Sequence, residues 1–227
     1  MPRIPRLSLP VLGAALVFLA LAAAPALAQD ASGYTQTHVE AMKNPDGKFV
    51  QDLGDRAIAV IANKKLSNAQ RDAEFSKILS DCFDLKTIGR FVIGRSWRAA
   101  TPAQQDEYMK LFKALVIKTY GTRMTLYTGE GFTVIGTRPE SEMDTTVHSE
   151  ITHPDGSAPT QIDWRVRNRD GKMGVIDVVV EGVSLSVTQR QEYAAIIQNN
   201  GGRIEPLLQE MRHELDAQPS QTAARHS

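Results

Sequence analysis

Residues 83–127 read FDLKTIGRFVIGRSWRAATPAQQDEYMKLFKALVIKTYGTRMTLY. Asp84 can cap a short helix that carries Leu85, Ile88, Phe91 and Val92 on one side, and Gly94 ends it. Thr101-Pro102-Ala103-Gln104 then opens a second helix, with Thr as N-cap, Pro at the first position and Gln at the third. Beyond it Tyr108, Leu111, Phe112, Leu115, Val116, Tyr120, Met124 and Tyr127 recur at helical spacing. Asp106, Lys110, Lys113, Thr122 and Arg123 lie mostly off that stripe. So long an apolar stripe has to be covered, either by the chain's own core or by a bound apolar molecule.

Upstream, Arg3 and Arg6 precede an apolar run from about Val11 to Leu21, and Ala26-Leu27-Ala28 supplies the small residues of a cleavage site. This predicts a signal peptide over 1–28 and export; the run is short for a membrane span of roughly 20 residues. Cleavage there removes two basic residues and no acid, so 26 basic against 26 acidic becomes 24 against 26, a formal net charge of −2. Such a balance gives no electrostatic case for nucleic-acid binding or for charge-driven docking on anionic membranes. The single cysteine, Cys82, cannot form an internal disulfide, and its apolar context suits a buried side chain. Residues 29–46 read as a flexible arm, with Pro45-Asp46-Gly47 as punctuation. A helix from Lys48 to about Lys65 follows, and a Ser67-Asn68-Ala69-Gln70 capping box opens the next, with Phe75, Ile78, Leu79 and Cys82 on its apolar face.

Downstream of Gly129 the period changes to two. Phe132–Ile135 is a first strand. Met143, Thr145, Val147, Ser149 and Ile151 alternate with polar residues, as do Ile162, Trp164 and Val166, and then Ile176, Val178 and Val180. Short turns at Pro154-Asp155-Gly156 and Asp170-Gly171 make this an antiparallel meander with one apolar and one wet face. Two helices close the chain, the first capped by Ser186 or Thr188 and the second running from Glu205 to about Leu215. Residues 217–227 read as a disordered tail. The fold class is therefore α+β: a twisted antiparallel sheet of about four strands wrapped by helices.

No nucleophile elbow, phosphate loop, dinucleotide fingerprint or zinc motif occurs in the sequence, which argues against an enzyme and implies no cofactor or metal. Arg90, Arg95 and Arg98 admit two readings. They form a cationic mouth for a phosphate head group, since guanidinium forks match phosphate oxygens, or they are surface arginines paired with nearby acids.

Phe83-Asp84, then Ile93-Gly94-Arg95-x-Trp97-Arg98, then Thr101-Pro102 followed by Gln105, Phe112 and Tyr120, resemble the MlaC family of toluene-tolerance substrate-binding proteins. Val183-Ser184-Leu185 followed by Thr188-Gln189-Arg190-x-Glu192-Tyr193 resembles that family's C-terminal signature. The family usually has Phe where Tyr193 stands, and often Leu where Ile93 stands. The match spans about residues 47–216.

The resemblance implies a periplasmic carrier whose apolar cavity holds phospholipid acyl chains, with the head group at the mouth. It further implies two partners: an inner-membrane ATP-driven transporter with its lipid-shuttling ring, and an outer-membrane lipoprotein–porin complex. Lipid shuttling between them maintains outer-membrane asymmetry. A hopanoid or another lipid is an alternative cargo, and a periplasmic protein-interaction module with a solid core is the alternative to a carrier. On the carrier reading, tail-lining candidates are Phe91, Val92, Trp97, Tyr108, Leu111, Phe112, Leu115, Val116, Tyr120 and Met124 from the helices. From the sheet they are Val147, Ile151, Ile162, Trp164, Val166, Ile176, Val178 and Val180. Arg90, Arg95 and Arg98 are the head-group candidates.

Overall fold

The computed structural model describes residues 38–123 and 129–217, with side chains for all of these except 120–123. The expected signal peptide, the first part of the arm, Met124, Tyr127 and the tail from 218 lie outside the described residues. So does the side chain of Tyr120. Eight helices and five strands are described: α1 (His38–Ala41), α2 (Pro45–Ala62), α3 (Asn68–Cys82), α4 (Leu85–Ile93), α5 (Ser96–Ala99), α6 (Pro102–Arg123), β1 (Gly131–Pro139), β2 (Asp144–Thr152), β3 (Thr160–Arg169), β4 (Lys172–Val180), β5 (Val183–Ser184), α7 (Leu185–Asn199) and α8 (Glu205–Asp216). The strands form one open antiparallel sheet in the order β1-β2-β3-β4-β5. This is the expected α+β meander, with a fifth, two-residue strand that the alternation did not reveal.

The helix starts follow local chemistry. Ser67 and Gln70 form a reciprocal capping box at α3, and Thr101 and Gln104 exchange backbone N–H bonds of 3.1 and 3.3 Å at the start of α6. Asp84 caps α4 through the Thr87 N–H at 3.0 Å, and Gly94 ends that helix at φ 59°, a conformation glycine adopts without strain. Two starts differ from expectation. Pro45 begins α2, because Asn44 accepts the Asp46 N–H at 2.8 Å and proline suits the first helical position. α7 is capped by Ser184, which accepts from the Val187 N–H at 3.1 Å, rather than by Ser186 or Thr188.

The segment expected as an arm holds α1 as well as the start of α2. Ala41 is fully buried, and the His38 ring bonds the Val134 carbonyl at 2.8 Å. One small side chain and one histidine leave no periodic signal, which is why the sequence pattern gave no helix here.

Two bulges adjust the sheet. In β1 the pairing steps from Val134 to Gly136, so Ile135 is the extra residue. In β4, Asp177 faces Arg165 while Val175 faces Val166, so Ile176 is the extra residue. The bulge moves Val175 onto the face of Val166, where it is fully buried, and leaves Ile176 only half-buried. The expected inner-face row Ile176-Val178-Val180 is therefore corrected to Val175-Val178-Val180. The opposite face is not uniformly wet either: Thr146 and His148 are buried there, and the His148 ring pairs with the Asp163 carboxylate at 2.6 Å.

Asp177, on that outer face, ties the sheet to α7. Its buried carboxylate accepts from the Ser184 and Ser186 hydroxyls, both at 2.7 Å, and from the Ser186 N–H at 3.2 Å. Bonds to a buried charge stabilise strongly, and their loss leaves three donors without an acceptor. Asp177→Ala is expected to cost about 2–4 kcal/mol. Urea denaturation of the purified protein checks this; a loss under about 0.5 kcal/mol, the range of an ordinary surface substitution, contradicts it.

Candidate functional site

The buried side chains fall into distinct groups. One lies wholly within the helices: Val92 and Ile93 of α4, Tyr108, Phe112 and Leu115 of α6, Tyr193 and Ile197 of α7, and Leu207, Leu208 and Met211 of α8. A second gathers Val134, Val147 and Val166 of the sheet under Ala41 and Val50. A third gathers Leu53, Ile78, Cys82 and Val175. The two sheet groups meet through Phe49 and Trp164, whereas the helical group shares no residue with either. Correspondingly α6 packs on α3, α4 and α8, while α1 and α2 cover β1 and its neighbours and α3, α4 and α7 meet β4.

Helical packing is organised around Tyr108. Its ring meets Trp97 and Tyr193 edge-on and stacks with Phe112, at centroid distances of 6.4, 6.3 and 5.8 Å. Its hydroxyl donates to the Gly89 carbonyl at 2.9 Å. Burial pushes the Tyr108 phenol well above its ordinary value, and that of Tyr193 too, so both stay protonated. Gln105 donates to the Trp97 carbonyl at 2.8 Å and the Ala100 carbonyl at 3.3 Å. Arg190 donates to the Phe91 carbonyl at 3.1 Å and lies over the Phe91 ring at 4.8 Å. The two sequence signatures around Gly94-Arg95-x-Trp97 and Arg190-x-x-Tyr193 therefore meet in one structural knot.

The candidate residues divide accordingly. Val92, Tyr108, Phe112 and Leu115 are closed inside the helical core, and Val147 and Val166 inside the sheet core. Ile162 and Val180 are 8% exposed. Trp97, Leu111, Val116, Ile151, Trp164, Ile176 and Val178 are half-buried, and Phe91 is exposed. Sequence reasoning did not single out Val60 of α2 or Ile117 of α6, both half-buried, nor Ala114. Ala114 and Ile117 border an opening of about 360 Å³ between α3 and α6, together with Asp72 and Lys118. Small and β-branched residues give too weak a pattern to separate a cavity wall from a core. Among the described residues none of Arg90, Arg95 and Arg98 pairs with an acid: Arg90 lies over the Trp97 ring at 4.9 Å, and all three are exposed.

Comparison with known proteins matches residues 51–213 to the family model described as MlaC protein. The chain belongs to the MlaC family. Its relatives include toluene tolerance protein ttg2D of Pseudomonas putida, 26% identical over 163 residues, which are 71% of this chain and 75% of that protein. They also include the intermembrane phospholipid transport system binding protein MlaC of Haemophilus influenzae. That protein is 25% identical over 173 residues, covering 66% of this chain and 77% of its own. Among solved structures, the phospholipid-binding protein of Ralstonia solanacearum, determined in complex with a phospholipid, has the same fold. Its TM-score is 0.65 at 24% identity, over 74% of this chain and 96% of the other. The α+β fold expected from the sequence pattern is thus shared with a solved structure. No described helix is long and apolar enough to cross a membrane.

One acid in the helical layer titrates unusually. Burial pushes the Glu214 carboxyl up to about 7; Lys118 pulls it down, and Glu210 and Glu192 push it further up. Burial raises Glu192 as well. Lys118 of α6 reaches the same spot from the other side, donating to the Glu214 and Leu215 carbonyls at 2.7 and 2.9 Å. Because the folded value for Glu214 lies above the unfolded one, the folded state holds the proton more tightly. The stabilisation is complete below about pH 4.5 and is lost as pH rises through about 7. Glu214→Gln is therefore expected to flatten the decline in stability between about pH 5 and about pH 8. Urea midpoints at the two ends measure this; an unchanged slope contradicts it.

Proposed function

We propose that the protein is a periplasmic phospholipid carrier, exported by a cleaved signal peptide. It takes lipid between an inner-membrane ATP-driven transporter, with its lipid-shuttling ring, and an outer-membrane lipoprotein–porin complex, and so maintains outer-membrane asymmetry. The supporting observation is the division of the core. The helical group and the sheet groups pack separately, with a boundary between them; Trp164, Val178 and Val60, packed against the sheet groups, and Ile117, at the α3–α6 opening, are only half-buried. Acyl tails lie along this boundary, and the opening between α3 and α6 is their way in. Membership in a family whose relatives include a phospholipid transport binding protein and a phospholipid complex supports the cargo class.

The energetics explain why a carrier is needed. Burial contributes about 0.8 kcal/mol per CH₂, so two tails of roughly 15 methylenes would cost on the order of 24 kcal/mol to expose. A cavity and a bilayer interior offer similar surroundings, so the carrier sets little direction by itself. Direction comes from the coupled transporter, since a binding protein shifts an equilibrium only by its differential affinity.

Val147 and Leu115 are closed inside cores, so an acid there would unfold the chain before it tested binding. Val178→Asp and Ile117→Asp change half-buried positions instead. In folded variants each is expected to lower phospholipid taken from vesicles at least about ten-fold, since a charge facing the tails loses its solvation. Organic extraction and lipid mass spectrometry measure the uptake. Wild-type stoichiometry in both folded variants would contradict the placement of the tails.

A further inference from the structure

The α4–α5 segment, Leu85–Ala99, contains Lys86, Arg90, Arg95 and Arg98 and no acidic residue. Each of these four cations is exposed, and among the described residues none forms an ion pair. A neutral chain that concentrates unpaired charge of one sign on one segment bears self-repulsion there, which an oppositely charged partner relieves.

Beside these cations, an open groove of about 420 Å³ runs between α4–α5 and α7. Arg95 and Ala99 line one wall; Arg190, Ala194 and Gln198 line the other. Arg190 spends one N–H on the Phe91 carbonyl, of the five a guanidinium carries. Two large apolar side chains stand exposed next to the groove: Phe91, 41% exposed under the Arg190 guanidinium, and Val187, 40% exposed one turn before Arg190 on α7. The floor includes Ile93, which is 5% exposed and belongs to the packed helical core. The groove therefore ends on a closed surface with no room for a pair of acyl tails, yet it is deep enough for protruding side chains.

From the unpaired cations, the concave shape and the flanking apolar side chains, we infer that this groove docks a protein partner through an acidic segment carrying at least one apolar anchor residue. Carboxylates of that segment meet Arg95 and Arg190 in bidentate pairs, and the anchor covers Phe91 and Val187. A flat anionic membrane would meet the cations and leave the groove unfilled. The inference uses no residue of the boundary between helices and sheet, so it stands or falls separately from the lipid cargo.

A benzophenone amino acid placed at Gln198, or separately at Ala99, tests it by photo-crosslinking in the cells that produce the full chain, with the same probe at Arg165 on the outer sheet face as control. Peptide mapping of the products is expected to give one protein, joined through a segment containing Asp or Glu beside an apolar residue, from both groove positions and not from the control. Arg95→Glu should lower the yield about ten-fold or more, and reversing the mapped acids to Lys should restore it in that background. Crosslinks that survive Arg95→Glu, that map to a segment without acids, or that are absent would overturn the inference. Crosslinks to phospholipid alone would also overturn it and would return these arginines to a head-group role.

Discussion

The described part of the α6 stripe, Tyr108 to Val116, packs within the helical layer, and the rest of the architecture depends on that. Tyr108, Phe112 and Leu115 are covered by α4, α7 and α8, with Trp97 and Tyr193 against the Tyr108 ring. A helix whose stripe is already covered has little to offer the sheet. The sheet is covered instead by α1 and α2, with α3, α4 and α7 meeting β4, and short side chains such as Ala41, Val50 and Cys82 pack with Val134, Val147, Val166 and Val175. Two cores result where a chain of this size ordinarily builds one. On the sheet side Trp164 and Val178 are neither exposed nor fully buried, as the proposed apolar guest requires.

The family signatures acquire a physical meaning in this frame. Gly94 leaves room for the Arg190 guanidinium, whose nearest atom would stand 3.2 Å from a Cβ at that position. Gln105 holds the backbone of Trp97 and Ala100, and Tyr193 closes on Tyr108. These residues fix the helical layer as a unit. Arg95, exposed within the same signature, is the exception, which is why its groove reads as an interface. Lys118 sits where the two roles meet, at the edge of the α3–α6 opening and at the C-terminus of α8. Protonation of Glu214 therefore bears on the helical layer close to that opening.

Much of the fold was legible because its signals are local. The capping chemistry of Ser67, Asp84 and Thr101 placed three helix starts, and the Asp-Gly turn with period-two alternation gave the meander. What stayed hidden depends on long-range packing. The bulge at Ile176 exchanges which valine faces inward, and alternation alone cannot announce an extra residue. The helix at His38–Ala41 rests on a single buried alanine and a bond to Val134. The stripe of α6 was visible, yet a stripe does not say what covers it. For the same reason the candidate tail-lining residues mixed buried core positions such as Leu115 and Val147 with half-buried positions such as Trp164 and Val178. The arginine cluster was visible too, but only the folded chain shows the groove beside it and that none of its members pairs with an acid among the described residues.

The two tryptophans of the sequence stand on opposite sides of the proposed boundary, Trp97 in the helical knot and Trp164 on the inner sheet face beside Val178. This makes the location of the tails directly measurable. Trp97→Phe and Trp164→Phe each leave one reporter, and each variant can be loaded with phospholipid brominated in mid-chain. Quenching of Trp164 fluorescence, with Trp97 little affected, is the predicted result. Quenching of Trp97 with Trp164 unaffected, or no quenching of either in protein shown to carry the lipid, would contradict tails lodged between the helical layer and the sheet.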